Sequence, residues 1–369
     1  MNIVLTEEQK LFQESFRRYL ERDYTFQDRQ QDLKENPSGF NSKNWKKICE
    51  LGWPTILFPE NHGGLGGKAM DIALLMEQAG RGLMRDPFLS NVILAGGILQ
   101  HIKDTEFSAL KIEGLITGSL RICLAYQDAD DCVTRADSVE NGYILQGKKT
   151  HALNASFADD ILVTTQMNDG STGIFLVDSK TPGVEISPYN VIDSSNAAHV
   201  TFNDCVINAS KKLDLNFSES SVIEDTLARG AFAVCAEAVG CMEELYKSTI
   251  DYCKTRKQFG MPLAAFQALQ HRMADMYIAY QKSKSLLYLT AQKLDDESCN
   301  EKKTWLSSLK IQINQSSRFI AQNAIQLHGG MGMTDELCIS HYFKRLAVIE
   351  QSFGNTDAHM EKLYCSSFK

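Results

Sequence analysis

Two short segments near the C-terminal end of the chain combine residue types that suit a flat, phosphorylated ligand. The first, residues 255–263, reads T-R-K-Q-F-G-M-P-L and holds Arg256 and Phe259 in front of a glycine and a proline. An arginine can bind a pyrophosphate through two parallel hydrogen bonds, and a phenylalanine ring can pack on a planar heterocycle. Taken alone, this segment favours a simpler interpretation, the end of a helix with a solvated arginine.

The second segment, residues 325–333, reads I-Q-L-H-G-G-M-G-M and places Gly329 and Gly330 directly after an apolar helical pattern. Because glycine has no side chain, a ligand can approach the backbone closely at such a pair. An ordinary helix cap is the alternative, since glycine is common where helices end. Each segment is weak evidence for a binding site when it is considered by itself.

The hydrophobic pattern predicts the elements that position these segments. Apolar residues recur at helical spacing over the first third of the chain, and short β-branched runs then alternate with turn residues. Helical spacing returns near Ser221 and holds to the end. The sequence therefore predicts an α+β protein with a helical domain at 1–120, a β domain at 121–220 and a helical bundle at 221–369.

Local signals make this prediction specific. Thr6 precedes two glutamates and an apolar helical pattern, so it is a candidate N-cap. Asn141-Gly142 predicts a hairpin turn between two strands. One face of a predicted bundle helix carries four apolar side chains, Met273, Met276, Tyr280 and Leu287.

Composition excludes several classes of function. The 369 residues carry 38 basic and 46 acidic side chains, a formal net charge of −8, and an acidic chain repels nucleic acid. No apolar run is long enough to span a bilayer, so integral membrane association is not expected. The ten cysteines form no C-x-x-C pair, which argues against a zinc site and favours free thiols in a cytoplasmic protein.

Considered together, the two segments resemble the acyl-CoA dehydrogenase family of flavoproteins. The resemblance extends to G-G-L-G at residues 63–66, to the β domain, and to the spacing of about seventy residues between R-K-Q-F-G and H-G-G-M-G. It implies an N-terminal helical domain, a β-barrel-like middle domain and a C-terminal four-helix bundle, with FAD at a subunit interface. The same match implies contacts to the adenosine and pyrophosphate half of a neighbour's FAD from Arg256, Gln258, Phe259, Phe266, Gln326, Gly329 and Gly330.

The sequence departs from this family where the flavin ring would lie. The family's T-E-P-x-x-G-S-D string lines the flavin, whereas residues 125–131 read A-Y-Q-D-A-D-D, with neither proline nor glycine. His151 stands where the family places a tryptophan against the isoalloxazine ring. The residues expected to bind the nucleotide are therefore retained, while those expected to form the flavin pocket are not.

The catalytic base is missing as well. Phe353 occupies the position of the family's glutamate, and the alternative base position on an earlier helix falls near Arg229-Gly230, which has no carboxylate. Dehydrogenation needs a base to take the α-proton while the β-hydrogen leaves as a hydride, and loss of a base lowers the rate by about 10²–10⁴-fold. We therefore assign no catalytic residue and expect the chain alone to be a poor dehydrogenase.

The C-terminal string, residues 342–359, resembles the small subunits of heteromeric acyl-CoA dehydrogenases of the pimeloyl-CoA and steroid side-chain types. That likeness implies an α2β2 heterotetramer in lipid or steroid catabolism, an acyl-CoA substrate, a related chain that supplies the missing groups, and an electron-transferring flavoprotein as acceptor. Two alternatives remain open. The chain is a self-sufficient homomeric enzyme whose base is Glu237, Glu350 or Asp357, or it is a non-catalytic subunit that stabilises a catalytic partner.

Overall fold

The N-terminal part of the chain is helical, as predicted. The computed structural model describes residues 5–36 and 39–367. Its first helices are α1 (Glu7–Asp23), α2 (Phe26–Glu35), α3 (Ser42–Glu50), α4 (Ala69–Arg81), α5 (Gly96–Leu99) and α6 (Thr105–Thr117). The Thr6 cap is confirmed, because its Oγ1 accepts from the Gln9 N–H at 3.1 Å and the Gln9 Oε1 accepts from the Thr6 N–H at 3.2 Å. This reciprocal pair satisfies donors that the first turn of a helix leaves free.

A π-helical segment, Phe88–Ala95, leads directly into α5. Its Asn91 is almost fully buried, and Oδ1 accepts a hydrogen bond from the Ile122 N–H at 2.7 Å. The hydrophobic pattern did not predict this segment, because its two polar residues, Ser90 and Asn91, are adjacent and both buried, so they mark no solvent-facing helical period. Segments of π-helix are rare and are frequent at functional sites.

The middle of the chain forms one curled sheet of eight strands. They are β1 (Ile122–Ala125), β2 (Gln127–Asp128), β3 (Arg135–Val139), β4 (Gly142–Leu153), β5 (Asp160–Met167), β6 (Thr172–Asp178), β7 (Val184–Asn190) and β8 (Asn196–Asn208). The strand order is β1-β5-β3-β4-β8-β7, with β2 on β4 and β6 on β5. Strands β1 and β3 run parallel to β5, and the other pairs are antiparallel.

The turn signals account for parts of this sheet. A hairpin forms near the predicted Asn141-Gly142 turn, but its loop lies one residue earlier, because Val139 pairs with Gly142 and leaves Glu140 and Asn141 as the two-residue loop. Its first strand, β3, was not predicted from the sequence. Strand β7 was not predicted, because it contains Pro188. That strand lies at the edge of the sheet, where a residue without an N–H is tolerated.

The C-terminal part is a bundle of long helices. These are α7 (Glu219–Thr255), α8 (Gln267–Asp295), α9 (Lys302–His328), α10 (Cys338–Gln351) and α11 (Thr356–Ser367), and a small hairpin of β9 (Lys257–Gln258) and β10 (Met261–Pro262) joins α7 to α8. The predicted apolar face of α8 is confirmed, because all four of its side chains are buried: Met273, Met276, Tyr280 and Leu287. Helix, sheet and helix follow each other as predicted, which confirms the fold class.

Helices α4 and α7 cross at two glycines. A Cβ atom on Gly80 would lie 1.9 Å from the carbonyl oxygen of Glu237, and one on Gly240 would lie 1.9 Å from that of Glu77. Neither position can accept a side chain unless the backbones separate, so this crossing requires glycine on both helices. Ion pairs flank it, including that of Arg81 with the buried Glu77 at 2.8 Å.

The described residues form two compact units. One contains the chain up to Gln31, Lys68–Met84 and the chain from Ala231 onward, and the other contains Asp32–Gly67 and Arg85–Gly230. The three-domain division with boundaries at 120 and 220 stays a prediction. Within the described ranges no helix combines the length and apolarity that a bilayer crossing requires.

Candidate functional site

A tight, exposed hairpin carries the first predicted segment. The Arg256 N–H donates to the Tyr252 carbonyl at 2.8 Å, and the Leu263 N–H donates to the Arg256 carbonyl at 2.9 Å. These two hydrogen bonds attach the hairpin to the end of α7. Its two central residues, Phe259 and Gly260, have φ of 53° and 83°. Positive φ at both positions is what a type I′ turn requires, and it is unusual for phenylalanine.

The side chains of this hairpin extend into open space. Phe259 is 90% exposed, and Arg256 and Gln258 are exposed as well. The Arg256 guanidinium makes no hydrogen bond or ion pair with any residue that the structure describes. Phe266 is partly buried and meets the Phe259 ring edge-on, with 6.2 Å between centroids. The hairpin thus presents an unpaired cation together with an aromatic ring whose faces are largely exposed.

The glycine pair follows α9 directly. Gly329 has φ of 60°, in the region that favours glycine, and its N–H donates to the Gln326 carbonyl. A Cβ atom on Gly329 or on Gly330 would meet no atom within 4 Å. Gln326 is exposed. The backbone here is therefore open to a ligand, whereas Gly332 is enclosed, since its Cβ would lie 2.9 Å from the His328 Cβ.

Two aromatic rings hold the two segments together. Tyr252, one turn before Arg256, stacks on His328 with 4.3 Å between ring centroids and 26° between planes. Nδ1 of His328 lies 2.9 Å from the Ala324 carbonyl, and burial lowers the pKa of the imidazole, so the ring is neutral at pH 7. The seven predicted contact residues therefore belong to one end of the helical bundle; their role as FAD contacts stays a prediction.

These groups fit the nucleotide half of FAD. An unpaired guanidinium matches a pyrophosphate, open glycine backbone admits close approach, and an exposed ring suits a flat base. Arg256, Gly329 and Gly330 supply these features in one unit, with Phe259 beside them.

The flavin-lining string of the family is replaced by an ionic cluster. Lys149 on β4 is 1% exposed, and its Nζ lies 2.7 Å from Oδ1 of Asp128 and 3.3 Å from the Tyr126 carbonyl. Burial lowers the pKa of Lys149. Burial acts to raise the pKa of Asp128, but hydrogen bonds from Lys149 and Thr134 outweigh it and hold that pKa below its usual value. The segment is thus fixed by its own ion pair, which sequence reasoning did not identify.

An imidazole and a phenol occupy the position of the family's tryptophan. His151 has φ of 52°, and its Nδ1 lies 3.0 Å from the Tyr189 hydroxyl oxygen on β7. The Tyr189 ring packs on His199 of β8, with 4.9 Å between centroids. Tyr189 was missed from sequence because its strand was missed, although alternate residues of that strand share its face.

The position at which the resemblance predicts a catalytic glutamate lies in a constrained turn. Phe353 has φ of 58° and is followed by Gly354 with φ of 103°. His359 holds this turn: Nε2 lies 3.2 Å from the Phe353 carbonyl, and Nδ1 lies 3.1 Å from the Ser307 hydroxyl. Burial lowers the pKa of His359 to about 4, so the neutral ring donates through Nε2 and accepts at Nδ1. Lys310 donates to the Ile349 carbonyl at 2.6 Å and secures the preceding helix end.

The other candidate carboxylates are already engaged or solvated. Glu237 is buried and accepts two hydrogen bonds from Arg345, at 2.6 and 2.7 Å. Glu350 pairs with Arg318. Asp357 is exposed in the first turn of α11. The geometry brings together the residues predicted to bind the nucleotide but offers no unpaired, enclosed carboxylate among these three.

Comparison with known proteins gives consistent matches along the chain. A family model described as "Acyl-CoA dehydrogenase, N-terminal domain" matches residues 6–102, and "Acyl-CoA dehydrogenase, C-terminal domain" matches residues 220–365. The chain is 27% identical over 374 residues to the probable acyl-CoA dehydrogenase YngJ of Bacillus subtilis strain 168, which covers 97% of each chain.

Solved structures show the same fold. The chain matches one in the ChsE4-ChsE5 complex from Mycobacterium tuberculosis with a TM-score of 0.91 and 21% identity, over 100% of this chain and 99% of that one. It matches the Tcur3481-Tcur3483 steroid ACAD with a TM-score of 0.85 and 25% identity, over 97% of each chain. The fold predicted from sequence is confirmed over the full length of these relatives.

Proposed function

Because this chain belongs to the acyl-CoA dehydrogenase family, we propose that it is one subunit of a heteromeric enzyme that α,β-dehydrogenates an acyl-CoA thioester. As a member of this family it is an oxidoreductase that uses FAD. In the proposed assembly a related chain shares the FAD and supplies the catalytic base. When bound, FAD supplies the acceptor for the hydride that leaves the β-carbon.

The observation that carries this proposal is the exposure of the hairpin at residues 256–260. Phe259 is 90% exposed on a turn with positive φ, and the one ring it meets in its own described chain is Phe266, edge-on, so it contributes little to the packing of that chain. Such a residue is explained if a second chain or a shared ligand covers it. The solved relatives described above, the ChsE4-ChsE5 complex and the Tcur3481-Tcur3483 steroid ACAD, each name two proteins, which is compatible with a paired assembly.

The proposed roles of the two chains follow from the binding groups that this chain has and from the base that it lacks. Arg256 would bind the pyrophosphate bidentately, and the backbone at Gly329 and Gly330 would lie against the same half of the cofactor. Proton abstraction is assigned to the partner, because Phe353 cannot accept a proton. The Lys149–Asp128 pair would keep the loop after β1 fixed against the shared site.

Co-purification tests the proposal. We expect the chain to retain little flavin by itself, and to form a yellow, active complex when it is co-expressed with a related chain that has a T-E-P string and a glutamate base. Arg256→Ala should reduce the FAD content of that complex severalfold, whereas Arg17→Ala, on an exposed surface of α1, should leave it unchanged.

The alternatives predict different results. A flavin-loaded homo-oligomer that oxidises an acyl-CoA unaided would refute partner sharing and favour a relocated base. Glu237→Gln and Glu350→Gln would then identify that base through loss of flavin reduction. A non-catalytic stabilising subunit would give a complex whose FAD content is indifferent to Arg256→Ala.

A further inference from the structure

Three tyrosine rings form a continuous line from the surface of the helical bundle to its interior. Tyr277 on α8 is 45% exposed, and its ring centroid lies 5.5 Å from that of Tyr246 on α7. Tyr246 in turn stacks on Tyr280, with 6.2 Å between centroids and 15° between planes. Both separations are those of aromatic rings in contact. Tyr280 is only 4% exposed, so the line ends inside the bundle.

The inner end of this line has a proton acceptor. The Tyr280 hydroxyl donates to Oε2 of the buried Glu243 at 2.7 Å. Burial acts to raise the pKa of Glu243, but the charge of Arg81 and hydrogen bonds from Lys247 and Tyr280 outweigh it and lower that pKa to about 2. The carboxylate is therefore ionised at pH 7. A phenol becomes a strong acid when it loses an electron, so a carboxylate at this distance can take its proton directly.

Positive charge lies at the inner end of the line. Nζ of Lys284 donates to the Tyr280 hydroxyl oxygen at 3.3 Å and lies 5.8 Å from the centroid of that ring. Within the described part of the chain, no cation lies over the rings of Tyr246 and Tyr277 in the same way. A nearby cation opposes the removal of an electron, so an oxidising equivalent is least stable on Tyr280. The charges therefore favour its movement outward, toward the exposed ring.

We propose that Tyr280, Tyr246 and Tyr277 form an electron-transfer chain that carries a single oxidising equivalent from the interior of the bundle to its surface. The oxidant is an oxygen-derived radical of the hydroperoxyl class, and the final reductant is a thiol in solution. Oxygen generates such radicals when it takes electrons from a reduced flavin. This function goes beyond the proposed dehydrogenation and does not depend on a partner chain or on the identity of the catalytic base.

Each step conserves electrons and protons. A hydroperoxyl radical takes one electron from Tyr280 and one proton from solvent and becomes hydrogen peroxide, while the Tyr280 hydroxyl proton passes to Glu243. Tyr280 then recovers an electron from Tyr246 and its proton from Glu243, and Tyr246 releases its own proton to water. Tyr246 is restored by an electron from Tyr277 and a proton from water, and Tyr277 loses its proton to water. A thiol finally gives a hydrogen atom to Tyr277, and two thiyl radicals combine to a disulfide.

A radical trap at the buried end tests whether the rings are connected. The full chain is prepared with 3-aminotyrosine, which is oxidised more easily than tyrosine, in place of Tyr280. It is then exposed to photogenerated tris(bipyridyl)ruthenium(III), an oxidant too large to enter the bundle. We expect an aminotyrosyl radical in the EPR spectrum, because electrons can leave the trap through the two outer rings. Tyr246→Phe keeps the ring but removes the oxidisable phenol, and it should remove most of that signal.

Tyr342 provides the matched control for the trap. It is also 4% exposed, and its ring contacts no other aromatic ring in the part of the chain that the structure describes. The same trap in place of Tyr342 should stay unoxidised. Equal signals from the two positions, or a signal at 280 that Tyr246→Phe leaves unchanged, would overturn the proposal. If Tyr246→Phe lowers the Tm, Tyr277→Phe at the exposed end provides the same comparison.

Protection of the interior provides a second readout without an unnatural residue. Wild type and Tyr246→Phe are exposed to a steady source of hydroperoxyl radical in the presence of glutathione, and methionine sulfoxide is measured by mass spectrometry of peptides. Met276 lies one turn before Tyr280 on α8 and is fully buried. The variant should accumulate more sulfoxide at Met276 than the wild type, because the oxidising equivalent can no longer leave through the outer rings. Equal oxidation of Met276 in both chains would overturn outward transfer.

Discussion

Single residues determine the shape of the turn at Phe353. Its carbonyl accepts from the neutral His359 ring at 3.2 Å, and Lys310 anchors the end of α10 through the Ile349 carbonyl at 2.6 Å. Both anchors are buried side chains whose pKa burial lowers. The turn is therefore built in this chain although the residue at its apex cannot act as a base.

The His359 anchor predicts an acid-sensitive stability. Its pKa is about 4 in the folded chain and 6.5 in the unfolded chain, so the unfolded state binds the proton more readily. The contribution is complete above pH 6.5, falls as the pH decreases, and is lost by about pH 4; it amounts to about 3 kcal/mol. Urea unfolding from pH 7.5 to 4 should show a shallower pH slope for His359→Asn than for the wild type.

The matched control for this measurement is the exposed His271. His271→Asn should keep the wild-type slope, because it removes an exposed side chain and leaves the His359 anchor intact. Equal slopes for the His359 variant and the wild type would contradict the assignment of His359 as a buried, neutral anchor.

At the scale of elements, the hairpin at residues 256–260 exposes an aromatic side chain on a backbone conformation that lowers the stability of the chain. Phe259 adopts φ of 53°, a conformation that asparagine tolerates better. Phe259→Asn should raise the free energy of unfolding of the isolated chain by about 1 kcal/mol, since strain falls and only an exposed edge-on contact with Phe266 is lost. The same variant should reduce flavin retention by the complex, measured as the ratio of absorbance at 450 to 280 nm.

The exposed Tyr364 on α11 serves as the control for Phe259. Tyr364→Asn removes an aromatic ring that is 66% exposed from a helix and should neither stabilise the chain nor release flavin. A destabilised Phe259→Asn chain would mean that the ring packs on its own subunit.

The two kinds of glycine in the helical unit should respond in opposite ways. Gly240→Ala places a Cβ 1.9 Å from the Glu77 carbonyl and should lower the free energy of unfolding by about 2 kcal/mol or more, because α4 and α7 must separate. Gly330→Ala meets no atom within 4 Å and should preserve stability while it weakens FAD binding. Thermal unfolding and flavin content should be measured side by side for both variants. If Gly330→Ala were the less stable of the two, the prediction would be wrong.

Elements with a clear period were predictable from sequence, and elements without one were not. The apolar face of α8, the Thr6 cap and the hairpin at Asn141 each have a local pattern that physical rules recognise. The π-helix at Phe88–Ala95 and the edge strand β7 lack such a pattern, because one has no polar face at helical spacing and the other contains a proline. Tertiary packing determines their conformation.

The same distinction holds for the residues of the candidate site: those with a local pattern were predicted from the sequence, and those without one were not. The glycine pair and the hairpin at 256–260 are contiguous strings, so their spacing was visible in the sequence. The Lys149–Asp128 pair and the His151–Tyr189 contact join residues that are distant along the chain, at 2.7 and 3.0 Å. Strand register creates such contacts, and composition does not encode register.

At the scale of the whole molecule, assembly should be visible by proteolysis. Arg256 and Lys257 are exposed trypsin sites on a projecting hairpin. We expect trypsin to cut there rapidly in the isolated chain and slowly in the flavin-loaded complex, because the shared cofactor and the partner would cover the hairpin. Exposed Lys180, after β6, should be cut at a similar rate in both. Equal cleavage at 256–257 in both states, read by mass spectrometry, would argue against a covered hairpin.

The discontinuous make-up of the two compact units has a consequence for synthesis on the ribosome. The unit that contains Arg85–Gly230 has all its segments once Gly230 has emerged, whereas α1 and α4 belong to a unit whose last segment begins at Ala231, within α7. At about 5–20 residues per second, those early helices wait on the order of ten seconds for their packing partners. Apolar side chains of α4 such as Leu74 and Leu75 are fully buried in the finished fold but remain exposed to solvent during that interval. Chaperones that recognise exposed apolar segments should therefore bind most strongly to nascent chains stalled after residue 230.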